Sequence, residues 1–225
     1  MRRKLAAAGL GIGLAFAGTA CNAHETASAR PTFVMPKHPY DIAASDKTYI
    51  EGRFTAYAGH LKRIGAIAAD TKLILLNGGD TLTCKEPGDL PPQHMSAQSI
   101  SEYCPSEHAV VLTAGDMNAA RYVGKYHAQI SFIIAHELGH AEQERQGELT
   151  ASSLSMPEHP YIEEQATCYG GETMKLFDPS YATTVNELLL DTPTDPAHGT
   201  SRAQAGAFMA GATTGHCPLG YTPAS

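Results

Sequence analysis

Past residue 4 the sequence has no basic run, and its 225 residues include no tryptophan. Without a basic patch there is no electrostatic footprint for nucleic acid, and the formal charge of −7 argues the same way. No internal repeat is visible, so nothing suggests stacked repeats. Long hydrophobic runs are missing too. The N-terminal run from Leu5 to Ala17 is short for a transmembrane span. What is present is an apolar content normal for a globular protein and a length suited to one domain plus extras.

Arg2, Arg3 and Lys4 precede that apolar run, and small residues follow it. This is the order of parts of a secretory signal, expected over residues 1–20, with an uncleaved N-terminal anchor as the alternative. Cleavage after Ala20 leaves Cys21 first. Gly18-Thr19-Ala20-Cys21 resembles a bacterial lipoprotein signal, in which the Cys takes a lipid. It departs from that pattern at Gly18, where Leu is preferred, and ordinary signal-peptidase cleavage is the competing reading. Losing residues 1–20 removes three positive charges and no acids. Residues 21–44, broken by Pro31, Pro36 and Pro39, read as a flexible tether, and the domain is expected over 45–225. Cys84, Cys104, Cys168 and Cys217 form an even set, which in an exported chain suggests disulfides. Cys21 is left over where a lipid would consume it. The expected location is the periplasm or cell surface. Membrane contact is expected only through a lipid on Cys21 or an uncleaved anchor.

The stretch His136-Glu137-Leu138-Gly139-His140 reads HExxH. On a helix, i and i+4 share a face, so the two imidazoles can meet one metal ion, with Glu137 within reach of a water beside it. In a chain with 11 His the bland alternative is a chance match. The context argues against chance. Ile130, Phe132, Ile133 and Ile134 make the preceding turns apolar, as a buried helix requires, and Gly139 admits close approach by another element.

Other elements follow from periodicity. Ile50, Phe54, Tyr57, Leu61 and Ile64 mark an amphipathic helix over 45–69, capped by Ser45 or Asp46. Strands are expected at Lys72–Asn77 and Ala109–Thr113, with a loop from Cys84 to Ser99. The motif helix lies within Asn118–Gln146. Further helices are expected at His159–Phe177, Tyr181–Leu190 and Gly199–Thr213. The forecast is a mostly helical α+β domain with a small sheet.

A catalytic zinc needs a third protein ligand. Glu163 and Glu164, on the next helix, are the candidates, and taken alone they read better as surface acids. The ordered motifs resemble the neutral zinc metallopeptidase family of bacteria, over roughly residues 84 to 217. They are Tyr103-Cys104-Pro105; His136 to His140 with Gln143; Glu163-Glu164-Gln165-Ala166-Thr167-Cys168-Tyr169-Gly170-Gly171; His198-Gly199-Thr200 with Arg202; and Cys217. The resemblance implies a zincin-like domain in which an HExxH active-site helix is followed by a glutamate helix. It implies Zn²⁺ held by His136, His140 and Glu163. Where the family has Asp this chain has Thr167, a neutral acceptor for a histidine N–H.

The function expected is zinc-dependent peptide-bond hydrolysis in the cell envelope, with Glu137 as general base and a peptide or protein as substrate. His198 is the expected transition-state donor, with Tyr169 behind it, and the strand near Val110 and Val111 is expected to pair with an extended peptide. The alternative is a weak or inactive envelope lipoprotein using its zinc for structure or partner binding, which the loss of the Asp favours. Four cysteines allow three pairings. The one chosen is Cys84–Cys104, closing the Pro-rich loop, and Cys168–Cys217, fastening the glutamate helix to the C-terminal segment.

Overall fold

The computed structural model describes residues 40–122, 124–154, 159–194 and 198–217. The predicted signal segment, Cys21 and the tether as far as residue 39 lie outside the described residues. The last predicted tether residues are described, and they are tied down. Gly78 donates to the Tyr40 carbonyl at 2.7 Å, and the Ile42 amide donates to Asn77 Oδ1 at 3.0 Å.

In chain order the elements are α1 (Ala44–Arg63), β1 (Lys72–Leu76), β2 (Thr81–Cys84), β3 (Gln93–Ser96), β4 (Glu102–Cys104), β5 (Ala109–Thr113), α2 (Ala114–Tyr122), α3 (Tyr126–Gln146), α4 (His159–Phe177), α5 (Ala182–Asp191) and α6 (Ser201–Thr214). Among the described residues six α-helices and two small sheets make an α+β fold that is mostly helical, as expected. No helix among the described residues is long and apolar enough to cross a membrane.

The stripe on α1 buries Ile50, Tyr57 and Leu61. The helix stops six residues earlier than predicted, because Gly65 turns the chain at φ +73° and leaves Ile64 exposed. Neither Ser45 nor Asp46 caps it. The N-cap is Ala43, with no side-chain bond. Asp46 is buried instead against Arg121 of α2, in an ion pair.

β5 is the centre of a three-stranded sheet of order β1-β5-β4, parallel to β1 and antiparallel to β4. Its five residues are all buried, which its β-branched, apolar composition allows. Flanked on both sides, β5 has no free edge, so the expected pairing of Val110 and Val111 with a peptide is corrected. β4 is the edge next to the cleft described below.

The predicted Cys84–Ser99 loop contains β3, which pairs antiparallel with β2. Among the four residues of β3 only Met95 is buried, so no alternation betrays the strand. Disulfides join Cys84 to Cys104 and Cys168 to Cys217, all four buried. The first fastens the β2–β3 unit to β4.

The segment expected to hold one motif helix holds two. α2 ends at Tyr122, Gly124 sits at φ +70°, and α3 begins at Tyr126. α3 is buried around most of its circumference, including Ile130, Ile134, Leu138 and His140. α4 lies across it and α6 across α4. A Cβ on Gly139 would sit 2.5 Å from the Ala166 carbonyl oxygen, and one on Gly211 would overlap that of Cys168. Backbone therefore meets backbone at both crossings.

Candidate metal centre

The α3–α4 crossing sets the site. His136 and His140 face α4 from consecutive turns of α3, and Glu163 faces them from α4. His136 Nε2 lies 3.2 Å from Glu163 Oε2, and His140 Nε2 lies 3.4 Å from Glu163 Oε1. The His136, Glu137 and His140 donor atoms all lie within 4.8 Å of one another, a group able to hold a metal ion. Glu137 and Glu163 are both 6% exposed.

The far nitrogens of both rings are held. His140 Nδ1 lies 2.8 Å from Gln143 Oε1, and the Gln143 amide nitrogen donates to the Ile162 carbonyl at 2.8 Å. His136 Nδ1 lies 3.0 Å from the Thr167 hydroxyl, which in turn donates to Gln204 Oε1. Thr167, four residues after Glu163, thus shares its helical face. With Nδ1 held on each ring, the Nε2 atoms are left for one another's surroundings and for Glu163. Two imidazole nitrogens and one carboxylate are drawn together in a largely buried position, a donor set that could hold a metal ion.

Charge in the site follows from burial. Burial alone would depress His140, but Glu163 opposite it wins and lifts the imidazole to about 9. For His136 burial prevails over the same carboxylate, and its value falls. Burial pushes Glu137 up to about 8, with His140 pulling the other way.

A cleft of about 440 Å³ opens over these groups. One wall carries Ile100 to Tyr103 on and before β4. Glu86, Leu90, Pro91 and Gln93 make a second, and Leu149 and Leu154 line it beyond α3. Burial, then the nearby Glu86, raises the Glu102 carboxyl to about 7, and among the described residues its Oε1 has no hydrogen-bond partner. Tyr103 is anchored from below, donating to Glu144 Oε2 at 2.5 Å, while His108 Nδ1 reaches the same oxygen at 2.9 Å.

Of the predicted site residues, the fold gathers His136, Glu137, His140, Glu163 and His198 at the cleft, with Thr167 behind His136. The His198 side chain is 49% exposed, with Nε2 3.9 Å from Glu163 Oε2. Glu164 does not line the cleft, and its carboxylate lies against Gly199. Tyr169 does not line the cleft. It stands six residues past Glu163, about 120° away round the helix, and its hydroxyl bonds Gln146 and Gln165. Gln204 and Glu102 were missed. A lone amide among Ala203, Ala205 and Ala207 was the available signal for Gln204. Glu102 had none.

No family model matches the chain. Neither the curated proteins nor the solved structures offer a match.

Proposed function

We propose that this protein is an exported zinc metallopeptidase of the glutamate-zincin type, related to the neutral zinc metallopeptidases its motifs resemble. The observation that carries the proposal is the convergence of His136 Nε2 and His140 Nε2 on the Glu163 carboxylate, with Glu137 facing the same cleft. His136, His140 and Glu163 would hold the zinc. When bound, zinc supplies Lewis-acid polarisation of a peptide carbonyl and a lowered pKa for water. Glu137 accepts a proton from that water and delivers it to the leaving nitrogen. In the metal-free site burial favours the protonated Glu137; a dication beside it would favour the carboxylate that a base needs. His198, at the cleft mouth, would donate to the developing oxyanion. The substrate is a peptide lying extended beside β4, whose outer edge replaces β5 as the pairing strand. Two disulfides suit an oxidising compartment outside the cytosol.

A second reading, a metal centre without turnover, is favoured by Thr167, whose neutral hydroxyl supports His136 less strongly than a carboxylate would. Metal analysis and a peptide-library assay on wild type and Glu137→Ala separate the two. The peptidase reading expects equal zinc in both and cleavage in the wild type alone. Zinc in both with cleavage in neither establishes the second reading. A wild type that takes up no zinc removes both.

A further inference from the structure

We propose that Gln204 is a positioning residue that fixes the ring proton of His136 on Nδ1, acting through Thr167. The inference rests on the metal-site reading of His136 given above.

The direction of each hydrogen bond is forced from the far end. Gln204 Nε2 lies 2.6 Å from the His198 carbonyl oxygen. A carbonyl only accepts, so the amide nitrogen belongs there and Oε1 faces Thr167. A flipped amide would set two oxygens against each other at that distance. Oε1 also only accepts, so the Thr167 hydroxyl spends its single proton on Gln204. What Thr167 then offers His136 Nδ1, 3.0 Å away, is a lone pair. Nδ1 must carry the hydrogen, so where a metal takes the place of the Nε2–Glu163 contact it is the Nε2 lone pair that meets it. Thr167 is fully buried and Gln204 is 8% exposed, so solvent offers Thr167 little as a substitute partner. His140 has the same device in shorter form, through Gln143 and the Ile162 carbonyl. Gln204 differs in that its anchor is the backbone of His198, so one side chain registers both a predicted metal ligand and the loop at the cleft mouth.

The test uses the exchange rate of the His136 Nδ1 proton, read by ¹H–¹⁵N NMR in the metal-free and zinc-loaded protein, beside zinc affinity by chelator competition. Gln204→Met keeps length and volume but removes the acceptor. It is expected to speed exchange of the His136 Nδ1 proton, leave that of His140 unchanged, and weaken zinc binding about tenfold. Thr167→Ser keeps the hydroxyl and is expected to keep wild-type values. Unchanged His136 exchange in folded Gln204→Met overturns the inference. Should that variant not fold, Gln204→Ala removes the acceptor without adding bulk. Faster His136 exchange there, with His140 unchanged, supports the relay, and unchanged His136 exchange overturns it. The exchange readout needs no zinc. A wild type that binds none while Gln204→Met still loses protection sinks the metal reading and leaves the relay standing.

Discussion

Glu163 and Glu164 are adjacent in sequence, yet one carboxylate meets two imidazoles and the other is buried against Gly199. Glu163→Ala is therefore expected to lose bound zinc on metal analysis, and Glu164→Ala to keep it. Zinc kept by Glu163→Ala and lost by Glu164→Ala would reverse the assignment. Glu102 gives a prediction on pH. Its folded value, about 7, lies above the ordinary 4.5. The protonated form is the one the fold favours, so its contribution is complete below about 4.5 and is lost as pH rises through 7. Glu102→Gln should raise the Tm of the metal-free protein at pH 8 and leave it nearly unchanged at pH 4.5. An equal effect at both would show that the carboxyl is not desolvated. At this scale the sequence was readable where spacing alone places atoms. His136, Glu137 and His140 follow from the i, i+4 rule, and Thr167 from Glu163 by the same rule. Gln204 reaches the site from another helix, and no local pattern encodes that distance.

Elements were legible in proportion to their periodicity. The α1 stripe and the β5 run announced themselves, because each buries a regular face. β3 did not, since three of its four residues are polar and its pairing rests on backbone bonds and a disulfide attached to its partner. The break between α2 and α3 had only Gly124 to mark it. The crossing of α3 and α4 depends on Gly139. Gly139→Ala forces its new methyl within 2.5 Å of the Ala166 carbonyl, backbone that cannot step aside. The expected cost is about 1–3 kcal/mol in chemical denaturation, with weaker zinc binding as Glu163 moves off the two rings. Wild-type stability with wild-type affinity would show that the helices do not meet there.

At the scale of the molecule, the cysteines tie the site to its surroundings. The Cys168–Cys217 bond spans 49 residues and fastens α4, which carries Glu163, to the segment after α6. In the loop-entropy account it contributes about 4 kcal/mol. Cys217→Ala should lower stability by about that much and loosen zinc as well, whereas Cys84→Ala, opening a 20-residue loop, should cost about 3 kcal/mol. Calorimetry with chelator competition reads both. Stability lost from Cys217→Ala with zinc affinity intact would separate that bond from the centre. The α+β class was visible in the element pattern, because helical and strand periods differ. The order of the strands was not, since β4 is three residues long and its place beside β5 is set by tertiary packing.

The glycine crossings also bear on how the centre responds to pressure. Where α3 meets α4 and α4 meets α6, main chain rests on main chain with no side chain between them. There is no rotamer to switch and little void to collapse. Hydrostatic compression acts chiefly on internal empty volume, so it should leave the spacing between Glu163 and the two imidazoles nearly unchanged.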